Sequence, residues 1–415
     1  MPTPTIVAAV SALCLAQPGG GDVVNDDPQA ESRFLGDIRQ LTFAEQWSKA
    51  GEAYFSPDGT EIVFQAIPAG SESHNYSMYA QRLDPTASFT SDAFELAPDA
   101  SANTCAWFHP TEPGVILFAS TLVEPSEDNV PGYQRGSGRY RWAFPAEMKV
   151  VRFQPTVDEK TTQDVHEAVR DLLSPPKGWK DGFYDDGHQY GWSPVPDSYR
   201  SLDVVIDKPG YTAECSYSPD ARYILYAQVD QAKSDALGAP DADIWVYDTE
   251  TREHTILVEA DGYDGGPFFS PDGKWICYRS DRRGDNLLQL FVSELAYDES
   301  GKITGVSREI QLTDNQHVNW APFWHPSGEY MVYASSQVSH GNYEVFAIPF
   351  DAENPEKTQE PVRITYASGF DGLPVFSADG EWMMWTAQRG EDRSPDGKAS
   401  SQLWIAKWKG LNGGE

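Results

Sequence analysis

The chain has 415 residues, 40% of them hydrophobic and including 13 Trp, 20 Tyr and 19 Phe, enough flat apolar surface for a large packed core and too much for a disordered chain. Its 31 Lys and Arg stand against 63 Asp and Glu, a formal net charge of −32, which repels phosphate backbones and anionic membrane surfaces and excludes nucleic acid as a partner. Such acidity reads first as a solvated surface, and beyond that fits an exported protein, a saline habitat, a bound cation or a basic partner.

In chain order, Ile6 to Ala16 is an apolar run far short of the ~20 residues a spanning helix needs, with Cys14-Leu15-Ala16 before Gln17 as a small-residue cleavage pattern. Residues 1–16 read as an export signal, atypical because Met1 to Thr5 carry no Lys or Arg. A leader rich in Pro, Gly and Asp occupies 17–35, and Ile38 to Phe43 reads as a strand with no hairpin partner beside it. It needs one from elsewhere in the chain.

Then a hairpin unit repeats. An apolar run meets a Ser-Pro-Asp-Gly turn and a second apolar run follows, as in Ala53 to Gln65 and Pro267 to Tyr278. Proline presets φ, Asp bonds nearby amides and Gly takes the left-handed conformation that closes the turn. With the first turn residue as marker, copies fall at Ser56, His109, Ser218, Ser270, His325 and Ser377, and every step but one is 52 to 55 residues. The step from His109 to Ser218 is double. A long insertion explains it better than a seventh unit, because Val165, Val169, Leu172 and Leu173 follow helical spacing where a strand would be needed. Glu147 to Phe153 and Ser201 to Ile206 then supply the third and fourth strands of unit two, with excursions over 121–142 and 154–200.

The last unit ends soon after its third strand, and Arg39-Gln40-Leu41-Thr42 repeats the fourth-strand pattern of Arg308 to Thr313 and Arg363 to Thr365. The expected fold is therefore all-β: one six-bladed β-propeller over 36–409, closed by the N-terminal strand joining the last blade, with a long partly helical insertion in blade two and a tail over 410–415. After Cys14 leaves with the signal, Cys105, Cys215 and Cys277 are an odd set without CxxC spacing. They read as small buried residues, with a Cys105–Cys215 bridge left open.

The Ser-Pro-Asp-Gly hairpin, the Asp243-Ile244-Trp245-Val246-Tyr247 third strand and the Arg-Gln-Leu-Thr fourth strand resemble the propeller repeats of the TolB-type, WD-repeat-like family. The resemblance covers roughly 36–409 and is specific for the fold rather than for an activity. It implies a periplasmic or secreted propeller without the N-terminal domain of TolB. Two departures stand out: His109 to Gly114 is a longer turn, and Ala221 stands where the turn requires glycine.

In such a ring the innermost strands line a central channel. Counting back five from the aromatic before each turn gives Ala50, Asn103, Thr212, Asp264, Asn319 and Asp371, with Glu52 and Glu214 three back in blades one and three. Asp264 and Asp371 are candidate ligands for a hard cation such as Ca²⁺, although Asp-Gly in Asp264-Gly265 and Asp371-Gly372 reads first as turn chemistry carried with the repeat. Tyr263, Trp320 and Phe370, with Tyr211, can form a stacking rim for a sugar or peptide, and equally pack between blades. No GxSxG, HExxH or P-loop is present, and a propeller-capped serine peptidase would need a further domain. The 154–200 excursion is rich in Trp and Tyr, and is expected to fold against blade two as a partner surface or a lid. The function expected is that of an envelope binding module for a protein or glycan. An envelope polysaccharide lyase or hydrolase using Glu52, Glu214, Asp264 and Asp371 is the alternative, and a structural scaffold the third.

Overall fold

A computed structural model describes residues 26–84, 90–126, 132–134, 139–141, 144–155, 193–194, 200–357, 359–394 and 397–413. The export signal expected over 1–16 and the helix expected at Thr161 to Leu173 lie outside the described residues. Among the described residues six blades succeed one another along the chain, each with four antiparallel strands, their innermost strands at Trp47–Phe55, Asn103–Phe108, Thr212–Tyr217, Asp264–Phe269, Asn319–Trp324 and Asp371–Phe376. Blade two takes its outer strands from Lys149–Pro155 and Arg200–Ile206, across the double-length step. Within the 154–200 excursion, Ser193–Pro194 adds a short parallel strand outside Thr90–Glu95, on blade one rather than blade two.

The turn repeats its chemistry as well as its sequence. Ser56, Ser218, Ser270 and Ser377 each donate a hydroxyl to the Asp two residues on, at 2.5–2.6 Å, and accept the amide five residues on, at 2.9–3.0 Å. In blades two and five a histidine takes over: His109 Nδ1 accepts the Glu112 amide at 3.0 Å and His325 Nδ1 the Ser327 amide at 3.1 Å. Burial lowers both imidazole pKa values and so favours the neutral ring that can accept.

Ala221 sits at φ 63°, beside 71–73° for the glycines at its equivalents Gly59, Gly273, Gly328 and Gly380. That conformation crowds its Cβ against the following carbonyl oxygen at a cost of about 1–2 kcal/mol. Ala221→Gly is therefore expected to raise the unfolding free energy by roughly 1 kcal/mol, after the added freedom of the unfolded chain is offset. Urea titration checks this, and a lower midpoint would contradict it.

Ring closure runs through the N-terminal strand. Leu35–Gln40 pairs antiparallel with Gln402–Trp408, placing Arg39 opposite Ile405 and Gln40 opposite Trp404. The fourth-strand motif explains the register: Thr42, Thr313 and Thr365 each accept a third-strand amide through Oγ1, from Leu403, Leu290 and Val345, at 2.8–2.9 Å. Gln40, Gln311 and Arg363 each fold back to the carbonyl of that threonine at 2.7–2.8 Å. Ahead of the strand, the turn Pro28–Glu31, capped by Asp27, lies on blades five and six, with Phe34 and Leu35 packed beside Trp385 and Trp408. Phe64, Phe118, Tyr226, Tyr278, Tyr333 and Trp385, one from the second strand of each blade, are fully buried, and each contributes roughly 1.5–3 kcal/mol by leaving water.

Candidate functional site

Every innermost strand carries a bulge at the same place. The ladder slips between Gly51 and Ala53, Thr104 and Trp107, Ala213 and Ser216, Gly265 and Phe268, Trp320 and Phe323, and Gly372 and Val375. Inside the slips sit Glu52, Cys105, Glu214, Gly266, Ala321 and Leu373, all left-handed at φ 42–60°. A bulge re-aims one side chain per strand, and here the six share one level of the channel.

That level holds a polar layer. Glu214 accepts from the Tyr263 hydroxyl, the Gly266 amide and Arg279 Nη2, the last at 3.1 Å, while the same Nη2 donates to Tyr263 Oη at 3.0 Å. Arg279 comes from the second strand of blade four and reaches the channel because the bulge residue beneath it is glycine; a β-carbon on Gly266 would overlap the guanidinium. The guanidinium also faces the rings of Tyr263 and Trp320, 5.6 and 5.9 Å from their centroids. Glu52 lies across from this pair, its pKa raised by burial and by Glu214 against the opposing pull of Cys105 and Arg279. Burial and the Glu52 charge push the Cys105 thiol well up, and among the described residues Cys105, Cys215 and Cys277 are free thiols, with Cys215 Sγ donating to the Cys105 carbonyl at 3.4 Å.

Below the polar layer, Tyr54, Trp107, Phe268 and Phe323 come from four blades to meet on the axis, every ring centroid within 5.1–6.3 Å of the other three. They form an aromatic floor. On the other side, where fourth strands lead into the next blade, Trp320 lies tilted against Phe370 at 6.2 Å, and Phe144 packs on Tyr211 and Tyr263 at 4.9 and 5.9 Å. Tyr263, Trp320 and Phe370 keep partial exposure. The result is a recess with a polar wall, an apolar base and an aromatic rim.

Of the residues singled out in the sequence, Glu52, Glu214, Tyr263, Trp320 and Phe370 come together here. Asp264, Asn319 and Asp371 do not. They are buried at the starts of their strands and engaged by their own blades: Asp264 by Arg282 at 2.9 Å, Asn319 by Ser335 and Asn315 at 2.8 and 2.9 Å, and Asp371 by Arg389 and the Trp385 indole. Burial lifts Asp264 to about 6 in spite of Arg282. Arg282 and Arg389 hold equivalent places, so the Asp-Gly dipeptides of blades four and six carry one repeated ion pair. Among the described residues no group of three or more His, Cys, Asp or Glu is placed to hold a metal ion. Arg279, Cys105, Tyr54, Trp107, Phe268 and Phe323 were not singled out for the site. A signal for Arg279 was present: its repeat position holds Gln65, Ala119, Ala227, Ala334 and Thr386 elsewhere, and the one charge coincides with the one bulge glycine.

These features define a six-bladed β-propeller with TolB-like repeats. No family model matches the chain. Over 201 residues it is 24% identical to the uncharacterized peptidase YuxL of Bacillus subtilis (strain 168), a stretch covering 41% of this chain and 28% of that protein. Over 111 residues it is 36% identical to dipeptidyl-peptidase 5 of Porphyromonas gingivalis, covering 26% and 16%. The matches thus span under a third of the length of these two curated relatives. Among solved structures it is similar to TolB from Acinetobacter baumannii, with 13% identity, 86% of this chain and 63% of that chain covered, and a TM-score of 0.46. No helix among the described residues is long and apolar enough to cross a membrane.

Proposed function

We propose that this chain is an exported envelope protein, periplasmic or secreted, that binds a protein or glycan partner at the rimmed mouth of its channel. The observation that carries the reading is the aromatic floor: four rings in mutual contact make the channel a recess, and recesses with a few convergent polar groups and exposed rings are binding sites by default. The N-terminal apolar run and the TolB-type repeats support the envelope setting.

A second reading, an envelope polysaccharide lyase or hydrolase, draws on Glu52 and Glu214. Two carboxyls share one recess, and burial favours the protonated form of Glu52, as a general acid requires. One experiment addresses both readings. Wild type, Trp320→Ala/Phe370→Ala and Glu52→Gln are assayed for capture of envelope proteins and glycan fragments and for turnover of a polysaccharide panel. The binding reading expects capture to fall roughly tenfold or more in the rim variant with no turnover by any form. Undiminished capture would overturn it, and turnover lost in Glu52→Gln would put the enzyme in its place.

A further inference from the structure

The two carboxylates of the polar layer are unequally satisfied. Glu214 accepts three close bonds, from Tyr263, the Gly266 amide and Arg279. Glu52, at the equivalent position two blades away, accepts among the described residues from Tyr54 Oη and Thr104 Oγ1, both at 3.4 Å, and from the weak Cys105 thiol donor. Those distances lie at the far edge of hydrogen bonding, for a carboxyl whose residue is only partly exposed. Beside it is a cavity with about 10 Å³ of room, bounded by Glu52, Tyr54, Phe268 and Phe323 among others. That volume suits one water-sized group. The walls therefore offer one under-bonded carboxylate and three aromatic rings around a space of that size.

The carboxylate and the rings select for the same chemistry, while the rest of the lining, from Ala53, Ala321, Pro322, Leu373, Pro374 and Val375, is aliphatic. A carboxylate with spare lone pairs accepts from a donor-only group, and ring faces attract cations, the more so when desolvated. Arg279 does not spoil the site, because its charge is matched by Glu214, and with Glu52 ionised the layer holds one net negative charge. The net charge of −32 draws cations toward the mouth. We infer that Glu52 and the rings beside it form a receptor for a primary ammonium group, carried into the recess by the partner as a lysine side chain or a free N-terminus. This rests on the channel-mouth binding reading. A guanidinium is too large for the space, and a neutral hydroxyl gains nothing from the charge. Because burial holds Glu52 toward its protonated form, docking of the cation drives a proton off the carboxyl.

The test uses the full chain with n-butylammonium chloride as the probe, against 1-butanol and against potassium chloride at equal ionic strength. A thermal shift is expected with butylammonium alone, with affinity lowered roughly tenfold or more in Glu52→Gln. Calorimetry near pH 5 in buffers of different ionisation enthalpy should show proton release in wild type and none in the variant. Nα-acetyl-lysine amide and glycinamide then separate the two sources, since the first offers only a side-chain ammonium and the second only an α-ammonium. An equal butylammonium shift in Glu52→Gln, a shift matched by butanol or potassium chloride, or no Glu52-dependent binding of either amide would overturn the inference. Should Glu52→Gln unfold, the wild-type proton release and the contrast with butanol decide alone. The two proposals fail separately. Partner capture that needs Trp320 while butylammonium shows no specific effect sinks only the ammonium site; butylammonium binding with capture indifferent to Trp320 and Phe370 sinks only the mouth.

Discussion

Replacing Arg389 with leucine is expected to lower the unfolding free energy by about 3–5 kcal/mol, because it leaves buried carboxylates without their counter-charge. Arg389 donates Nε to both oxygens of Asp371, at 2.9 and 3.1 Å, and Nη1 and Nη2 to Glu31, at 3.1 and 2.6 Å. Asp371 and Glu31 are 1% and 5% exposed, and neither can recover water without the N-terminal turn lifting away. A third acid stands close by. Glu344, bonded to Arg363 at 2.7 Å and to the Thr365 hydroxyl at 2.6 Å, has its pKa raised by burial and by Asp371. A group raised on folding stabilises fully only below its unfolded pKa, and that contribution is lost as pH rises through the folded value. Arg389 opposes the Glu344 shift, so its removal widens the window over which stability drains away above pH ~4.5, the unfolded value. Urea unfolding at pH 5 and pH 8 measures both effects, with the larger deficit expected at pH 8. Arg389→Lys should recover only part, since one ammonium cannot fork between two carboxylates. A loss under about 1 kcal/mol at pH 8 would mean that water already serves these acids.

The fold was legible because its determinants are local and repeated. A Ser-Pro-Asp-Gly turn bonds within itself, and the Gln-Leu-Thr of the closing strand makes the same two bonds as in blades four and five, so Gln40 and Thr42 declared their place before any partner was known. The strand itself begins earlier than the motif, at Leu35, because Phe34 and Leu35 are held by apolar packing on blade six rather than by a pattern of their own. The site was legible only where the backbone decided it. Glu52 and Glu214 reach the channel because a bulge turns them there, whereas Asp264 and Asp371, five back by the same count, are claimed by Arg282 and Arg389 from loops 18 residues on. Sequence spacing assigns a position, but which charge lies across a gap depends on side chains from another strand. Arg279 illustrates the point: it reads as one polar residue in Trp275-Ile276-Cys277-Tyr278-Arg279, and its role follows from what the bulge leaves empty.

That empty place supplies the second large effect. Gly266→Ala is expected to destabilise by about 3–5 kcal/mol, and backbone strain is the smaller part of it. The five other blades place Glu52, Cys105, Glu214, Ala321 and Leu373 at the same left-handed bulge, so the sheet tolerates a β-carbon there at about 1–2 kcal/mol. What blade four cannot tolerate is the overlap with Arg279. An expelled guanidinium leaves Glu214, 8% exposed, as an uncompensated buried charge. The double variant Gly266→Ala/Arg279→Met separates the two contributions. Arg279→Met alone already strands Glu214, and once the guanidinium is gone the added methyl group has room. The double should then lie within about 1–2 kcal/mol of Arg279→Met, giving a coupling of roughly 2–3 kcal/mol in the cycle. Costs that simply add would show that the glycine serves the backbone alone, and that Arg279 reaches the channel by some other path.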